Sequence, residues 1–471
     1  MKLENSYSDL PGSFFVEASI DASPSPVLLA FNQALARELN LELTDSSDEA
    51  LAGIFSGDNL PDGVKPIAMA YAGHQFGHFT PQLGDGRAAL LGEVIAEDGK
   101  RYDIQLKGSG RTVFSRGGDG KSWLGPVIRE YILSEAMYRL GVPTTRALAA
   151  VATGESVFRE GAMPGGIFTR VASSHLRVGT FQYFAARGLT DEVKILADYA
   201  IDRHFPEAKE LDDPYLGLFQ SVCERQAKLV AHWMSIGFIH GVMNTDNTSI
   251  VGETIDYGPA AYMDEFNFQK VFSSIDQTGR YAYVNQPSIA QWNLARFAET
   301  LLLIDVERSE LESALETFFK HFETHYLQLM RAKLGFTSEA EGDMDLIVAW
   351  MNHMQQNELD FTLSFRELAD SLQRNETDKF GEFEQQWKNR LKDEGKSTEA
   401  TVSLMHSVNP LFIPRNHRVE EAIAAAVNDD LSVFHEMMAV LANPFQENPD
   451  LEKYAEAPLR HERVTQTFCG T

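Results

Sequence analysis

Cysteine is nearly absent from this chain: Cys223 and Cys469 are the two in 471 residues. Such a sequence is not built on disulfides and suits a reducing compartment, so a cytoplasmic location is expected. Long apolar runs are missing too. No stretch reaches the ~18 consecutive apolar residues of a membrane-spanning helix. The opening Met1-Lys2-Leu3-Glu4-Asn5-Ser6-Tyr7 has neither an apolar signal core nor an Arg-rich presequence. Positive charge is scarce: 41 Lys+Arg stand against 68 Asp+Glu, a formal net charge of −27. That argues against sequence-independent nucleic-acid binding and against an anionic membrane surface, both of which need basic surface. It leaves nucleotide binding open, since a nucleotide needs only a local basic pocket. Repeats and low-complexity tracts are also lacking. At 44% hydrophobic residues the chain can bury a large core, and its length allows two or three domain-sized units or one two-lobed enzyme.

Residues 1–170 mix short strand-like runs with Gly-rich turns. Leu90–Ile95 and Tyr102–Lys107 read as a hairpin around the polar turn Glu97-Asp98-Gly99-Lys100. Helical periodicity follows over 123–140, where Ile128, Ile132, Ala136 and Leu140 recur every four residues, and Gly141 with Pro143 ends it. Leu148–Ala152 and Gly166–Val171 return to strand-like patterning. From about 175 the chain is mostly helical, with apolar i, i+3, i+4 spacing over 190–204, 214–236, 288–304, 308–332, 341–357 and 418–442. Between them, Thr248–Val251 and Thr254–Asp256 read as a short strand pair. The stretch 372–400 is the most polar and is expected to be mobile or solvent-facing. The expected class is α+β: a strand-rich half over 1–170, a helical half over 171–335, and a helical extension over 336–471 ending in a flexible tail. That order is the one a bilobal protein-kinase fold uses.

The central motif is defined by another absence. His240-Gly241-Val242-Met243-Asn244-Thr245-Asp246-Asn247, followed by Asp256-Tyr257-Gly258, resembles the kinase runs H-R-D-x-x-x-x-N and D-F-G. Val242 stands where the catalytic aspartate belongs, and a valine cannot accept a proton. Asp246, Asn247 and Asp256 remain as oxygen donors suited to a hard divalent cation. Asp246 is the remaining candidate base, against the blander reading of a second metal ligand or a loop cap. Gly84-Asp85-Gly86-Arg87 is a Gly-rich turn whose N–H groups can approach phosphate, although a plain turn explains most such sequences. Lys107, at the end of a strand, resembles the strand lysine of kinases, and Glu130 is the helix glutamate expected to pair with it, with Glu135 as competitor. Arg116-Gly117-Gly118-Asp119-Gly120-Lys121 suits a phosphate contact or a surface turn. Arg170 and Arg177 flank the expected hinge, where phosphate recognition competes with surface salt bridging. His74/His78 and His321/His325 are i, i+4 pairs without a third ligand, so zinc is not expected.

Longer runs carry a closer resemblance. Tyr71-Ala72-Gly73-His74-Gln75-Phe76-Gly77-His78-Phe79, Gln82–Arg87, Gln105–Thr112, His240–Asn247, Ile255–Pro259 and Ile413–His417 resemble the selenoprotein O (YdiU-like) pseudokinase family over nearly the whole chain. The resemblance implies a protein adenylyltransferase that binds ATP in a flipped orientation and moves AMP onto Ser, Thr or Tyr hydroxyls. Carried onto this sequence, Lys107, Arg170 and Arg177 would hold the outer phosphates and Glu130 would orient Lys107. Gly84, Gly86, Arg87, Asp119 and Gly120 would line the nucleotide. Asn247 and Asp256 would bind Mg2+ (Mn2+ being possible), and Asp246 would act as base. Cys469 looks like the sulfur counterpart of the family's C-terminal selenocysteine and is the redox candidate. No cysteine lies in the loop after Asp256, so an internal disulfide to that loop is not available. The implied partners are ATP and protein substrates, with no nucleic acid, no membrane and a monomeric chain. A conventional kinase and a non-catalytic ATP-binding scaffold stay open beside this reading.

Overall fold

The computed structural model describes residues 2–468. Cys469 lies outside them. In chain order the strands are β1 (Phe15–Glu17), β2 (Val27–Phe31), β3 (Ile67–Met69), β4 (Gly73–Gln75), β5 (His78–Thr80), β6 (Ala88–Ile95), β7 (Arg101–Lys107), β8 (Ser122–Trp123), β9 (Arg146–Phe158), β10 (Ala162–Ala172), β11 (Phe238–Ile239) and β12 (Ala261–Tyr262). Eight of them form one antiparallel sheet in the order β1-β3-β6-β7-β10-β9-β2, with β8 joined to β10. The pairs β4–β5 and β11–β12 stand apart from it.

Alternation along β9 and β10, shifted by one residue where Thr169 and Arg170 face Ala149 and Ala147, sends their side chains to two different cores. Leu148, Val151 and Ile167 pack with Leu35 of α1 (Gln33–Glu38) and Phe55 of α2 (Asp48–Ser56). Ala147, Ala150 and Phe168 pack with Ile128 and Ile132 of α3 (Leu124–Arg139). The sheet is thus covered on both faces.

The rest is helical: α4 (Val178–Ala185), α5 (Thr190–His204), α6 (Pro214–Ser235), α7 (Gln286–Leu301), α8 (Arg308–Glu316), α9 (Phe318–Lys333), α10 (Asp343–Gln356), α11 (Phe361–Gln373), α12 (Gly381–Asp393), α13 (Thr398–Val408), α14 (Asn416–Val427) and α15 (Ser432–Leu441). This is an α+β arrangement, with the sheet in the first half and helices in the second. No helix among the described residues is long and apolar enough to cross a membrane.

Three local expectations change. Thr248–Val251 and Thr254–Asp256 do not pair with each other. Ile250 N–H donates to Leu176 O and Thr254 N–H to Pro143 O, so neighbouring segments take the ladder bonds. The expected helix 308–332 is two helices. Thr317 Oγ1 donates back to Ala314 O at 2.7 Å, a side-chain bond that competes with the helix ladder. The expected helix 418–442 is broken at Asp429, whose φ of 64° is left-handed.

The polar stretch 372–400 contains α12 and a packed centre. Trp387 is fully buried, its indole N–H donates to Leu334 O at 2.8 Å, and its ring stacks near Phe383. Polarity here marks one face of an amphipathic helix. Trp387→Ala should therefore cost about 3–5 kcal/mol. Chemical denaturation of the full chain would read this as a clear loss, and a near-unchanged midpoint would mean that α12 is not part of the packed structure.

Candidate active site

The sheet register builds the first half of the site. Lys107 pairs with Phe168, and Gln105 with Arg170. Cross-strand partners share a face, so Gln105, Lys107 and Arg170 point to the side that α3 covers. Glu130 comes down from α3 to meet them. Its Oε2 accepts from Lys107 Nζ at 2.6 Å, and its Oε1 lies 3.3 Å from Arg170 Nη1. Glu135 turns elsewhere, to Arg146 and the Ala147 N–H.

Asp256 closes this cluster from the other half of the chain. Its Oδ1 accepts from Lys107 Nζ at 2.7 Å and from Arg170 Nη1 at 2.8 Å, and its Oδ2 is 3.5 Å from Arg177 Nη2. Burial alone would raise this carboxyl, but Lys107, Arg170 and Arg177 outweigh it and hold Asp256 well below the usual carboxylate range. Arg170 is 1% exposed and also donates to Gln105 Oε1 at 2.6 Å. Gln105 in turn donates to Asp85 at 3.2 Å.

These residues face an open cleft of about 680 Å³. Its wall carries Arg87, Lys107, Arg116, Lys121, Arg159, Arg170 and Arg177 against Asp85, Asp119, Asp246 and Asp256. A basic pocket thus sits in a strongly acidic chain. Among the described residues, no carboxylate lies within ion-pair distance of Arg87 or Arg116. Lys121 is engaged by Glu155 at 2.5 Å, and Asp119 by Arg159 at 2.8 Å, at the lip of the cleft. Gly84 and Gly120 are left-handed (φ 79° and 70°), and a Cβ on Gly120 would stand 2.6 Å from Arg111 Cα. The Gly120 loop therefore touches the 110–111 segment backbone to backbone.

On the far wall, His240 accepts the Val242 N–H at Nδ1 (3.3 Å) and, with the tautomer this assigns, donates from Nε2 to Ile255 O at 2.9 Å. One neutral imidazole so ties the 240s loop to the segment before Asp256. Val242 is buried beside the cleft. Asp246 is 6% exposed; its Oδ2 accepts from Gln75 at 3.2 Å, and its Oδ1 has no partner. Burial pushes its carboxyl up to about 6. Asn247 donates from Nδ2 to Val242 O at 3.0 Å, and no protein donor among the described residues reaches its Oδ1.

The oxygen set of Asn247, Asp256 and Asp246 fits a hard cation. Among the described residues, no group of three or more His, Cys, Asp or Glu side chains forms a metal cage. A cation held here would need phosphate and water oxygens to complete its shell.

Sequence comparison agrees with the chemistry of the cleft. The model of the family described as protein adenylyltransferase SelO matches residues 1–442. The chain belongs to that family. It is 54% identical to the protein nucleotidyltransferase YdiU of Rhizobium johnstonii, over 99% of this chain and 97% of the relative. It is 54% identical to the YdiU protein of Agrobacterium fabrum over the full length of both, and 53% identical to that of Bradyrhizobium diazoefficiens over 99% of each. These matches support nucleotidyltransferase activity in this SelO-family chain.

The structure brings Gly84, Gly86, Arg87, Lys107, Asp119, Gly120, Arg170, Arg177, Asp246, Asn247 and Asp256 to one cleft, with Glu130 behind Lys107. Sequence reasoning missed Gln75 on Asp246, Tyr71 under the Arg177 guanidinium (4.5 Å), and the Asp85–Gln105 support of Arg170. All four lie in the runs that carry the family resemblance. Arg159 gave no local signal.

Arg170 neutralises two buried carboxylates at once. Arg170→Met should cost about 3–5 kcal/mol of stability, because Glu130 and Asp256 would lose a buried partner. Denaturant titration of the two proteins checks it; an unchanged midpoint would show that the cluster relaxes into solvent.

Proposed function

We propose that this SelO-family protein binds ATP with its outer phosphates against Lys107, Arg170 and Arg177, and transfers AMP to Ser, Thr or Tyr hydroxyls. The acceptor oxygen attacks the alpha phosphorus, the bond from that phosphorus to the bridging oxygen breaks, and pyrophosphate leaves. Asp246 takes the hydroxyl proton. Gly84, Gly86, Arg87, Asp119 and Gly120 line the nucleotide, and Glu130 fixes Lys107. Asn247 and Asp256 would hold Mg2+, or Mn2+, which when bound neutralises charge on the phosphates. Catalysis here is mostly positioning and electrostatic complementarity.

The observation that carries this reading is the exchange of roles in the 240s loop. Val242 occupies the position of a kinase base and offers no lone pair. Asp246, four residues on, offers a buried carboxylate with one free oxygen beside a cationic wall. Fixed charge at Arg170 and Arg177, gathered with Lys107 around Asp256, favours the outer phosphates at that end of the cleft. We include in this proposal a kinase-like bilobal fold divided as 1–170, 171–335 and 336–471 and a cytoplasmic monomer.

Incubation with Mg-ATP labelled at the alpha or the gamma phosphate tests the reading. Alpha label on protein hydroxyls is expected. Gamma label instead would mean a conventional kinase, and neither label, despite ATP binding, a scaffold. Asp246→Ala is expected to lower transfer by about 10²–10⁴-fold with ATP affinity largely kept; near-full activity would remove the base assignment.

A redox role is the second part of the proposal. Cys223 is buried and burial raises its thiol strongly, so it is a poor exchange partner. Cys469 is the remaining thiol. Thr467, two residues before it, is held by Phe272 and Ser274 through backbone bonds of 2.7 and 3.0 Å, on the loop that also supplies Ile275 to the cleft. Cys469→Ser should abolish thiol-dependent complexes under oxidising conditions and leave transfer intact in reducing buffer. Loss of transfer in reducing buffer would contradict this division of roles.

A further inference from the structure

We propose that the rim beside Asp246, built from Arg280, Trp292 and Arg296, docks the acceptor protein and selects segments that carry an Asp or Glu next to the modified hydroxyl. This deepens the transfer reading above and rests on it for the identity of the docked segment.

The first argument is charge. This chain has 68 acidic residues for 41 basic ones. Yet among the described residues no carboxylate lies within ion-pair distance of the Arg280 guanidinium, and its Nε is buried without a partner. The nearest acid in sequence, Asp276, is already used: its two oxygens accept the N–H groups of Arg280 and Tyr281 at 2.9 and 2.7 Å. Among the described residues, the carboxylate within ion-pair distance of Arg296 is that of Glu299, at 2.8 Å, a half-exposed pair that contributes little.

The second argument is shape. The guanidinium carbons of Arg280 and Arg296 lie 4.7 and 5.1 Å from the Trp292 ring centre. His74 meets the same indole edge-on at 5.2 Å. Burial first, and then the two arginines, lower the His74 imidazole, which keeps it neutral. Stacking holds the planar arginine forks in place before any ligand arrives, and such forks match carboxylates.

The third argument is position. Tyr281 OH donates to Asn244 Oδ1 at 2.6 Å and accepts the Phe76 N–H at 3.2 Å. His74 N–H donates to Thr245 Oγ1 at 2.7 Å. The platform is thereby tied to Asn244 and Thr245, the two residues before Asp246. Gln75, Phe76 and Ile275 line the cleft, whereas Arg280 does not. It stands outside, against Gly77 at the tip of the β4–β5 hairpin, where a Cβ would be 3.6 Å from its guanidinium carbon. A chain laid over this hairpin with its hydroxyl at Asp246 brings an adjacent side chain over Arg280. Lys107, Arg170 and Arg177 line the cleft and Arg280 does not, so Arg280 is not expected to hold the triphosphate.

The test uses the full-length protein and matched short peptides with one central hydroxyl, flanked either by Asp and Glu or by Asn and Gln. AMP incorporation gives kcat and KM, and fluorescence anisotropy gives peptide binding without turnover. The acidic peptide should show a KM and a dissociation constant about tenfold lower than its neutral twin. Arg280→Gln should erase that difference without changing ATP affinity, and Arg280→Lys should keep part of it. Arg296→Gln, at a partly exposed helix position, is a second variant that should reduce the preference should Arg280→Gln misfold. Equal handling of both peptides by the wild type overturns the proposal. So does an Arg280→Gln variant that slows both peptides alike or weakens ATP. Arg280-dependent binding of the acidic peptide with no AMP incorporated into either would overturn the transfer reading and leave the docking platform standing.

Discussion

One carboxylate organises this site. Asp256 sits at φ 65°, a left-handed conformation that disfavours a residue with a Cβ. What holds it there is the set of cations that converge on it: Lys107 from β7, Arg170 from β10 and Arg177 from the start of α4. Without Asp256 those three positive groups would repel one another in a partly dry cleft. With it, they are assembled before a phosphate arrives and need little reorganisation when it does. The same contacts join the sheet to the helical half, so the charge cluster is a structural tie as well as the proposed phosphate site.

The loss of the kinase aspartate becomes tolerable through backbone space. Asp246 reaches its buried position because two residues beside it have no side chain. A Cβ on Gly73 would come within 2.8 Å of the Asp246 Cβ and closer still to its Oδ1. A Cβ on Gly179 would stand 3.2 Å from the Asp246 Cα and run into the Ala72 carbonyl. His240 keeps the geometry of the loop by bridging Val242 N–H and Ile255 O, contacts that do not involve the side chain at 242. Position 242 can therefore be apolar while the loop retains its shape, which leaves Asp246, further along the chain, for the proposed role of base.

Where the sequence was legible, the signal was local. The β6–β7 hairpin follows from alternation around a polar turn, and α3 from four-residue recurrence ended by Gly141. Glu130 and not its competitor Glu135 meets Lys107, because the register of β7 against β10 puts Lys107 on the face that α3 covers. Features built from distant segments were not legible. Nothing near Thr248 tells that its neighbours will bond to residues 176 and 143 instead of to each other. Nothing near Arg159 tells that it will cross to Asp119. The polar 372–400 stretch misled because charge counts average over a helix whose buried face needs only Phe383 and Trp387.

The far side of α3 shows what such distant packing does for function. In kinases the helix that carries the lysine-pairing glutamate is mobile, and its placement controls activity. Here α3 is buried along nearly its whole length, leaving Pro126, Tyr138 and Arg139 less covered. One side lies on Ala147, Ala150 and Phe168 of the sheet. The other is clamped by Val419, Ala422 and Ile423 of α14 and by Phe434 of α15, whose ring meets Tyr131 edge-on at 5.4 Å. Arg129, itself buried, is engaged by Glu420 across the same seam. Displacing α3 would open an apolar core on two sides, each deeply buried Leu, Ile or Phe side chain alone contributing about 1.5–3 kcal/mol. The Lys107–Glu130 pair is therefore fixed by the fold and is a poor place for a switch. On the proposed reading, control of this site acts on what enters the cleft: the nucleotide, the acceptor proposed to lie over the β4–β5 hairpin, or the loop at 272–281, which reaches the cleft through Ile275 and is fastened to the C-terminal segment at Thr467.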